Sequence, residues 1–346
     1  MAAGTLMIRA DASIKIGTGH VMRCLALAQA WQDAGGQAVF VMAEAPSAIE
    51  DRLRAEKVLI EPLQAAQGTT EDADQTSRLA RKHAAVWVVV DGYHFGAEYQ
   101  RNVKDAGVKL LFVDDNGHAG VYCADLVLNQ NAHASEDYYR DRSPQTRLLL
   151  GPRYALLRRE FAAWRNWQRT VPPVGRRVLV TMGGSDPDNV TLKVIEALNA
   201  VHVEGLETAV VMGGANPNVA LIEEAIKGSA YPIRLVKNTT KMAELMAWAD
   251  IAVAGAGSTC WEICSLGLPS ILLVLVEHQE PVAKTVEAAH AGLSLGWSWR
   301  SGTSTIAGAV RDLLQDVRQR ERMAERARGL VDGCGAERVI SVLAAH

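Results

Sequence analysis

A chain of 346 residues, 49% hydrophobic and 22% charged, is long enough for two globular domains, each with an ordinary core. A formal net charge of −3 excludes a broadly cationic surface of the kind that draws nucleic acid or anionic membranes, so an anionic ligand must be held locally. The five cysteines (Cys24, Cys123, Cys260, Cys264, Cys334) are odd in number and form no C-x-x-C pair, which fits a reducing cytoplasm and no metal site.

The start, Met1-Ala-Ala-Gly-Thr, has no basic region followed by a long apolar stretch. The longest apolar runs, Ala84–Val90 and Ile271–Val276, are only strand-length, so no signal segment and no membrane span is expected. Residues 6–12 read as a short apolar strand, and Gly17 and Gly19 allow a tight turn. Leu25, Ala28 and Trp31 then recur at helical spacing from Val21 onward, until Gly35-Gly36 stops the helix. His20 therefore stands where a strand hands over to a helix, the edge of an open α/β sheet at which ligands bind. The positive end of the helix disfavours an imidazolium there, and a neutral histidine can act as a base. A helix-start histidine without chemistry is the plainer reading. No Gly-Lys-Ser/Thr follows, and Met22 stands where a third glycine would complete Gly-x-Gly-x-x-Gly, so neither a P-loop nor a dinucleotide fingerprint is present.

The apolar runs Leu6–Ala10, Ala38–Val41, Ala85–Val90, Leu110–Val113 and Leu126–Leu128 alternate with helix-compatible stretches, the pattern of parallel βαβ units. They predict one Rossmann-like domain over residues 1–168. A Pro/Gly-rich linker, 169–176, precedes a second series: Arg177–Thr181, Thr208–Met212, Ile233–Val236, Ile251–Ala254 and Ile271–Val276. These predict a second Rossmann-like domain over 177–330. The remaining stretch, 331–346, reads as a helix expected to pack back on the first domain.

Two further turns carry chemistry. The strand at 177–181 runs into Gly183, Gly184 and Ser185 before a helix from Val190, a cradle suited to an anion. A plain loop capped by Asp188 or Asn189 reads equally well. The strand at 251–254 runs into Gly255-Ala-Gly257-Ser258-Thr259, and Glu262 lies one helical turn on. That carboxylate could accept two vicinal hydroxyls while the helix start holds a phosphate, which describes a nucleoside diphosphate; alone, it reads as a dipole-complementing glutamate. Asp11 and Asp91, at strand ends, are candidates to orient His20 or hold sugar groups, or are turn-capping carboxylates. Arg23 is an anion partner or a solvated helix arginine, and Asp114 and Asp115 have no clear assignment.

The run Arg9-x-Asp11-x-Ser13-x-x-Ile16-Gly17-x-Gly19-His20-x-x-Arg23-Cys24-Leu25-x-Leu27-Ala28 is followed by Asp91-Gly-Tyr93, Asp114-Asp115, Asn129-Gln-Asn131, Gly151-Pro-x-Tyr154, Gly183-Gly-Ser-Asp186 and Gly255–Pro269. In this order, across nearly the whole chain, it resembles the UDP-sugar hydrolases of pseudaminic acid biosynthesis, a group that includes spore-coat polysaccharide biosynthesis proteins. The resemblance implies a GT-B fold, two Rossmann-like α/β domains whose parallel sheets face a central cleft. It further implies metal-independent, inverting hydrolysis of a UDP-linked 2,4-diacetamido-2,4,6-trideoxy sugar, with no cofactor. His20 matches the catalytic histidine and Glu262 the ribose-holding acid, with Gly17, Gly19, Arg23 and Tyr93 on the sugar side. Where an Asn-Gln pair is expected after the strand that follows Glu262, this chain has Glu277-His278-Gln279, so His278 and Gln279 stand as substrate-binding candidates. The UDP-sugar is the expected partner, in the cytoplasm, with contacts to other enzymes of the pathway left open. A UDP-sugar glycosyltransferase of the same fold is the alternative.

Overall fold

The computed structural model describes residues 4–13, 15–214 and 216–346; Met1-Ala-Ala of the start and Ile14 of the opening run lie outside them. The first sheet contains β1 (Thr5–Ala10), β2 (Gln37–Met42), β3 (Leu59–Pro62), β4 (Ala85–Asp91), β5 (Lys109–Val113), β6 (Leu126–Asn129) and β7 (Arg147–Leu150). Its strands run parallel in the order β3-β2-β1-β4-β5-β6-β7. The second contains β8 (Arg177–Thr181), β9 (Glu207–Met212), β10 (Ile233–Lys237), β11 (Ile251–Gly255), β12 (Ser270–Val274) and β13 (Leu293–Trp297), parallel in the order β10-β9-β8-β11-β12-β13. Each sheet thus reverses its winding once, between β1 and β4 and between β8 and β11. At such a switch point the loops beyond the strand ends part and leave a crevice.

Around the first sheet lie α1 (Gly19–Asp33), α2 (Ser47–Ala55), α3 (Thr70–Lys82) and α4 (Ala97–Asp105). The second carries α5 (Val190–Leu198), α6 (Val219–Lys227), α7 (Met242–Trp248), α8 (Thr259–Ser265), α9 (Glu280–Ala288), α10 (Thr303–Gln315) and α11 (Val317–Leu330). The last helix, α12 (Gly335–Ala345), returns to the first unit and packs on α1. A Cβ on Gly335 would stand 2.2 Å from the Ala155 carbonyl oxygen, so α12 can begin there only because it starts with glycine. Two compact units result, residues 1–159 with 333–346, and residues 160–332. The Pro-rich stretch belongs wholly to the second unit. Arg169 donates to the Met246 carbonyl at 2.6 Å, and the buried Arg320 donates to the carbonyls of Pro172 and Pro173.

Both faces of the first sheet are covered, which is why its inner strands read as apolar runs rather than as alternation. Leu6, Ile8 and Ala10 of β1 join a core with Trp31 of α1 and Val339 and Leu343 of α12, while Met7 joins the opposite core with Val88, Val90 and Tyr99. Arg9 shares that second face and is fully buried, so its charge has to be met internally. Asp72 of α3 supplies a two-point contact, Nε to Oδ1 at 3.0 Å and Nη2 to Oδ2 at 2.9 Å, and Asp11 Oδ2 lies 2.7 Å from Nη1. The Phe95 ring covers the guanidinium at 5.2 Å. Removing one partner of a buried pair strands the other charge and costs about 3–5 kcal/mol. Asp72→Ala is therefore expected to lower the stability of the first unit by about that amount in urea denaturation; a loss below about 1 kcal/mol, the range of an exposed pair, would show that the pair is not holding α3 to β1.

Candidate active site

His20 is the second residue of α1, beside the crevice at the β1/β4 switch point. Asp91, the last residue of β4, faces it across that crevice, and His20 Nδ1 lies 2.8 Å from Asp91 Oδ1. Arg23 Nη2 also approaches Nδ1, at 3.2 Å, but the carboxylate is the nearer partner and can only accept, so it places the proton of the neutral ring on Nδ1 and leaves Nε2 as the acceptor nitrogen. Among the described residues Nε2 makes no hydrogen bond, and the side chain is 10% exposed. Asp91 itself has no exposure. It takes Arg23 Nη2 on Oδ1 and Nε on Oδ2, both at 2.7 Å, and the Cys24 thiol on Oδ2 at 3.2 Å. Burial would push this carboxyl up, but Arg23 and His20 outweigh it and hold Asp91 far below the usual carboxylate range. The first two turns of α1 thus place His20, Arg23 and Cys24 on one carboxylate.

Beyond β5, Asp115 Oδ1 accepts from Arg23 Nη1 at 2.7 Å and from Asn131 Nδ2 at 2.7 Å, while Oδ2 accepts the Tyr93 hydroxyl at 2.8 Å. The Tyr93 ring meets His20 edge to face at 4.8 Å between centroids. Neighbouring Asp114 turns the other way, onto the amides of Asp115, Asn116 and Gly117, the Tyr122 hydroxyl and His118 Nδ1. His118 Nε2 reaches the Phe95 carbonyl at 3.2 Å. Both ring nitrogens face acceptors, so His118 fits as an imidazolium. Burial alone would lower its pKa, and the contact with Asp114 raises it overall.

In the second unit the switch-point crevice is flanked by the turns after β8 and β11, strands that pair through Thr181 and Ala254. Gly183 adopts φ +86°, and a Cβ on Gly213 would come within 2.5 Å of Gly184 Cα, so the turns after β8 and β9 touch through bare backbone. Past β11, Gly257 and Ser258 lead into α8, where Thr259 and Glu262 occupy the first turn. Gln279 comes back over this turn. Its Oε1 accepts the Leu275 amide at 3.0 Å, and its Nε2 lies 3.5 Å from where a Gly257 Cβ would be. His278 lies beside it in a single 3-10 turn, Glu277–Gln279. Burial pushes the Cys264 thiol of α8 up to about 12, so it stays a neutral core group.

Residues 178–335 match the family described as "Glycosyltransferase family 28 C-terminal domain". The chain is 29% identical to the spore coat polysaccharide biosynthesis protein SpsG of Bacillus subtilis over 71% of this chain and 73% of that protein. It is 24% identical to the UDP-2,4-diacetamido-2,4,6-trideoxy-beta-L-altropyranose hydrolase of Campylobacter jejuni, over 80% of this chain and 94% of the relative. The crystal structure of MurG from Acinetobacter baumannii superposes with a TM-score of 0.70 at 17% identity, covering 99% of this chain and 100% of that one. The fold is GT-B. Both halves of the GT-B chain are the parallel α/β domains that the strand pattern predicts.

The GT-B framework sorts the candidate residues. His20, Asp91, Arg23 and Tyr93 converge at the first switch point; Gly183, Gly184 and Ser185 lie at the second with Gly257, Ser258, Thr259, Glu262, His278 and Gln279. Gly17, at φ +75°, closes a small bridge to Ser13, and Gly19 opens α1. Two expectations are corrected. Asp11 does not orient His20: its Oδ1 accepts the amides of Ala43 and Glu44 at 2.7 and 3.1 Å and its Oδ2 faces Arg9, so the carboxylate is held by β1 and by the turn after β2 instead. The start of α5 does not offer free amides either, since Asp186 Oδ1 and Oδ2 take Val190 and Thr191 N–H at 2.9 Å each. The sequence reading gave Asn131 and the Cys24 thiol no role and left that of Asp115 open, although all three stand in the quoted runs. No group of three or more His, Cys, Asp or Glu that could hold a metal ion occurs among the described residues, and no described helix is long and apolar enough to cross a membrane.

Asp91 and Asp115 both sit below their ordinary range because the opposing Arg23 charge outweighs burial. A depressed carboxylate stabilises the fold above its unfolded pKa, about 4, and that contribution drains away as pH falls toward the folded value. Arg23→Gln strands both carboxylates, so its deficit against wild type is expected to be about 3–5 kcal/mol at pH 7 and to shrink toward pH 4, where they can take up protons. Denaturation of the two proteins at both pH values measures this, and a deficit independent of pH would refute the charge account.

Proposed function

We propose that the chain is a UDP-sugar hydrolase acting on a 2,4-diacetamido-2,4,6-trideoxy sugar, with His20 as general base. The observation that carries this reading is the His20–Asp91 pair, in which Nδ1–H is held by a buried carboxylate and Nε2 is left to accept a proton. His20 Nε2 takes a proton from water as the water oxygen attacks the anomeric carbon. The bond from that carbon to the UDP oxygen breaks, its electron pair leaves with UDP, and the configuration inverts. UDP is already a good leaving group, so the growing phosphate charge needs only main-chain N–H groups and hydroxyls such as those at Gly257, Ser258 and Thr259. Glu262 accepts the ribose hydroxyls, with Gly183, Gly184, Ser185, His278 and Gln279 around the nucleotide. The hydrolase relative, aligned over four-fifths of this chain, supports the reaction. The glycosyltransferase family match over the second unit favours a second reading, transfer of the sugar to an acceptor other than water.

Incubation with the UDP-sugar and water alone separates the two. Release of UDP with free sugar, first seen by NMR as the inverted anomer, is the expected result; turnover only on addition of an acceptor would establish the transferase. His20→Ala is expected to lower kcat at least about 100-fold while UDP affinity stays within a few-fold. Near-wild-type turnover in that variant would assign the chemistry elsewhere. Loss of the Glu262 carboxylate should weaken UDP binding by about 1.5–3 kcal/mol in calorimetry, and equal affinity of Glu262→Ala and wild type would remove Glu262 from the nucleotide site.

A further inference from the structure

We propose that Asp115 is a positioning residue: its single carboxylate fixes Arg23 on one edge and Tyr93 on the other, the two side chains that brace His20, and Asn131 in turn fixes Asp115. The inference rests on the reading in which His20 is the base.

Three observations carry it. Asp115 closes a ring of contacts that runs from His20 to Asp91, Arg23, Asp115 and Tyr93 and back to the His20 ring. The ring joins residues at and beyond the ends of β4 and β5 to the first two turns of α1. Asp115 is also held from behind. Its carboxylate takes Asn131 Nδ2 at 2.7 Å, and its own carbonyl takes Asn129 Nδ2 at 2.9 Å and faces His133 Nε2 at 3.2 Å. Asn129, at the end of β6, and Asn131 just beyond it thereby acquire a purpose. Finally, the pairing settles charge: with Asp91 and Asp115 on either side, Arg23 is a cation between two anions, and Asp114 and His118 beside Tyr93 pair with each other, so the surroundings of His20 carry a net negative charge. Taking away the Asp115 charge would leave Arg23 and Asp91 to cancel, an environment less favourable to the imidazolium that forms during turnover.

The test compares Asp115→Asn, Asn131→Ala and His20→Asn with wild type, reading the pH dependence of kcat, the affinity for UDP by calorimetry and the fold by circular dichroism. Asp115→Asn is expected to lower kcat about 10–100-fold, a loss typical of a misplaced reacting group, and to move the ascending limb of the profile to lower pH with UDP affinity unchanged. Asn131→Ala removes a tether but no charge. It is expected to lower kcat about three- to tenfold with the limb in place, a cost near one hydrogen bond, and it decides the question if Asp115→Asn does not fold. An unshifted limb in a folded Asp115→Asn protein, or wild-type kcat in Asn131→Ala, would overturn the inference. Persistence of the limb in His20→Asn would instead overturn the reading of His20 as base.

Discussion

Asp91 is an ionised carboxylate with no exposure to water, and the start of α1 is arranged to meet its charge. A buried carboxylate is tolerable only when its oxygens are paired and hydrogen-bonded. The donors that do this, His20 Nδ1, Arg23 Nε and Nη2 and Cys24 Sγ, come from one short stretch of α1. Spacing explains the grouping. Residues 20, 23 and 24 lie three and four apart and so share one face of the first two turns, with the helix aimed at the strand end that carries Asp91. The histidine's tautomer is then a consequence of the charge balance rather than of the helix dipole alone.

The same constraint recurs on the other side of β1. Arg9 is the cation in that case, and Asp72 and Asp11 meet it. Two buried charge clusters with opposite centres thus flank one strand, one centred on an anion at the β4 end and one on a cation in β1. Asp11 belongs to the second. This is why two aspartates at neighbouring strand ends, alike in sequence, differ in what they can do: Asp91 faces a helix start, and Asp11 is consumed by a guanidinium and two backbone amides.

The inner strands were legible because both faces of each sheet are covered, so that they read as unbroken apolar runs. The strands that reading missed are β3, β7 and β13, and each is a sheet edge. Edge strands bury less, tolerate charge and proline, and lose the signal; Leu59–Pro62 contains both a glutamate and a proline, and Leu293–Trp297 contains a glycine. The site was legible where chemistry follows chain order, as with His20 after its glycine turn. It was not legible where partners meet only through the sheet. The spans from His20 to Asp91 and from Arg23 to Asp115 are 71 and 92 residues, and no local pattern reports them. Asp186 was hidden for a different reason: at φ +40° it reaches forward to cap α5 from four residues away, outside the usual capping position.

The two switch points end up equipped in opposite ways, although their sheets are wound alike. In the first unit the crevice is lined by fixed side-chain charges in a ring of hydrogen bonds closed by one aromatic contact, which suits a group that must hold a proton at one defined atom. In the second, glycine turns form the floor, where Gly184 and Gly213 meet backbone to backbone and Gly257 lies under an amide side chain, with Glu262 and His278 on the flanking turns. Exposed main chain suits a polyanion, because N–H dipoles can neutralise phosphate. Asp186 sharpens that division: by taking the first amides of α5 it leaves the turn after β11, with its hydroxyls and Glu262, as the better-provided phosphate and ribose site of the proposed reaction.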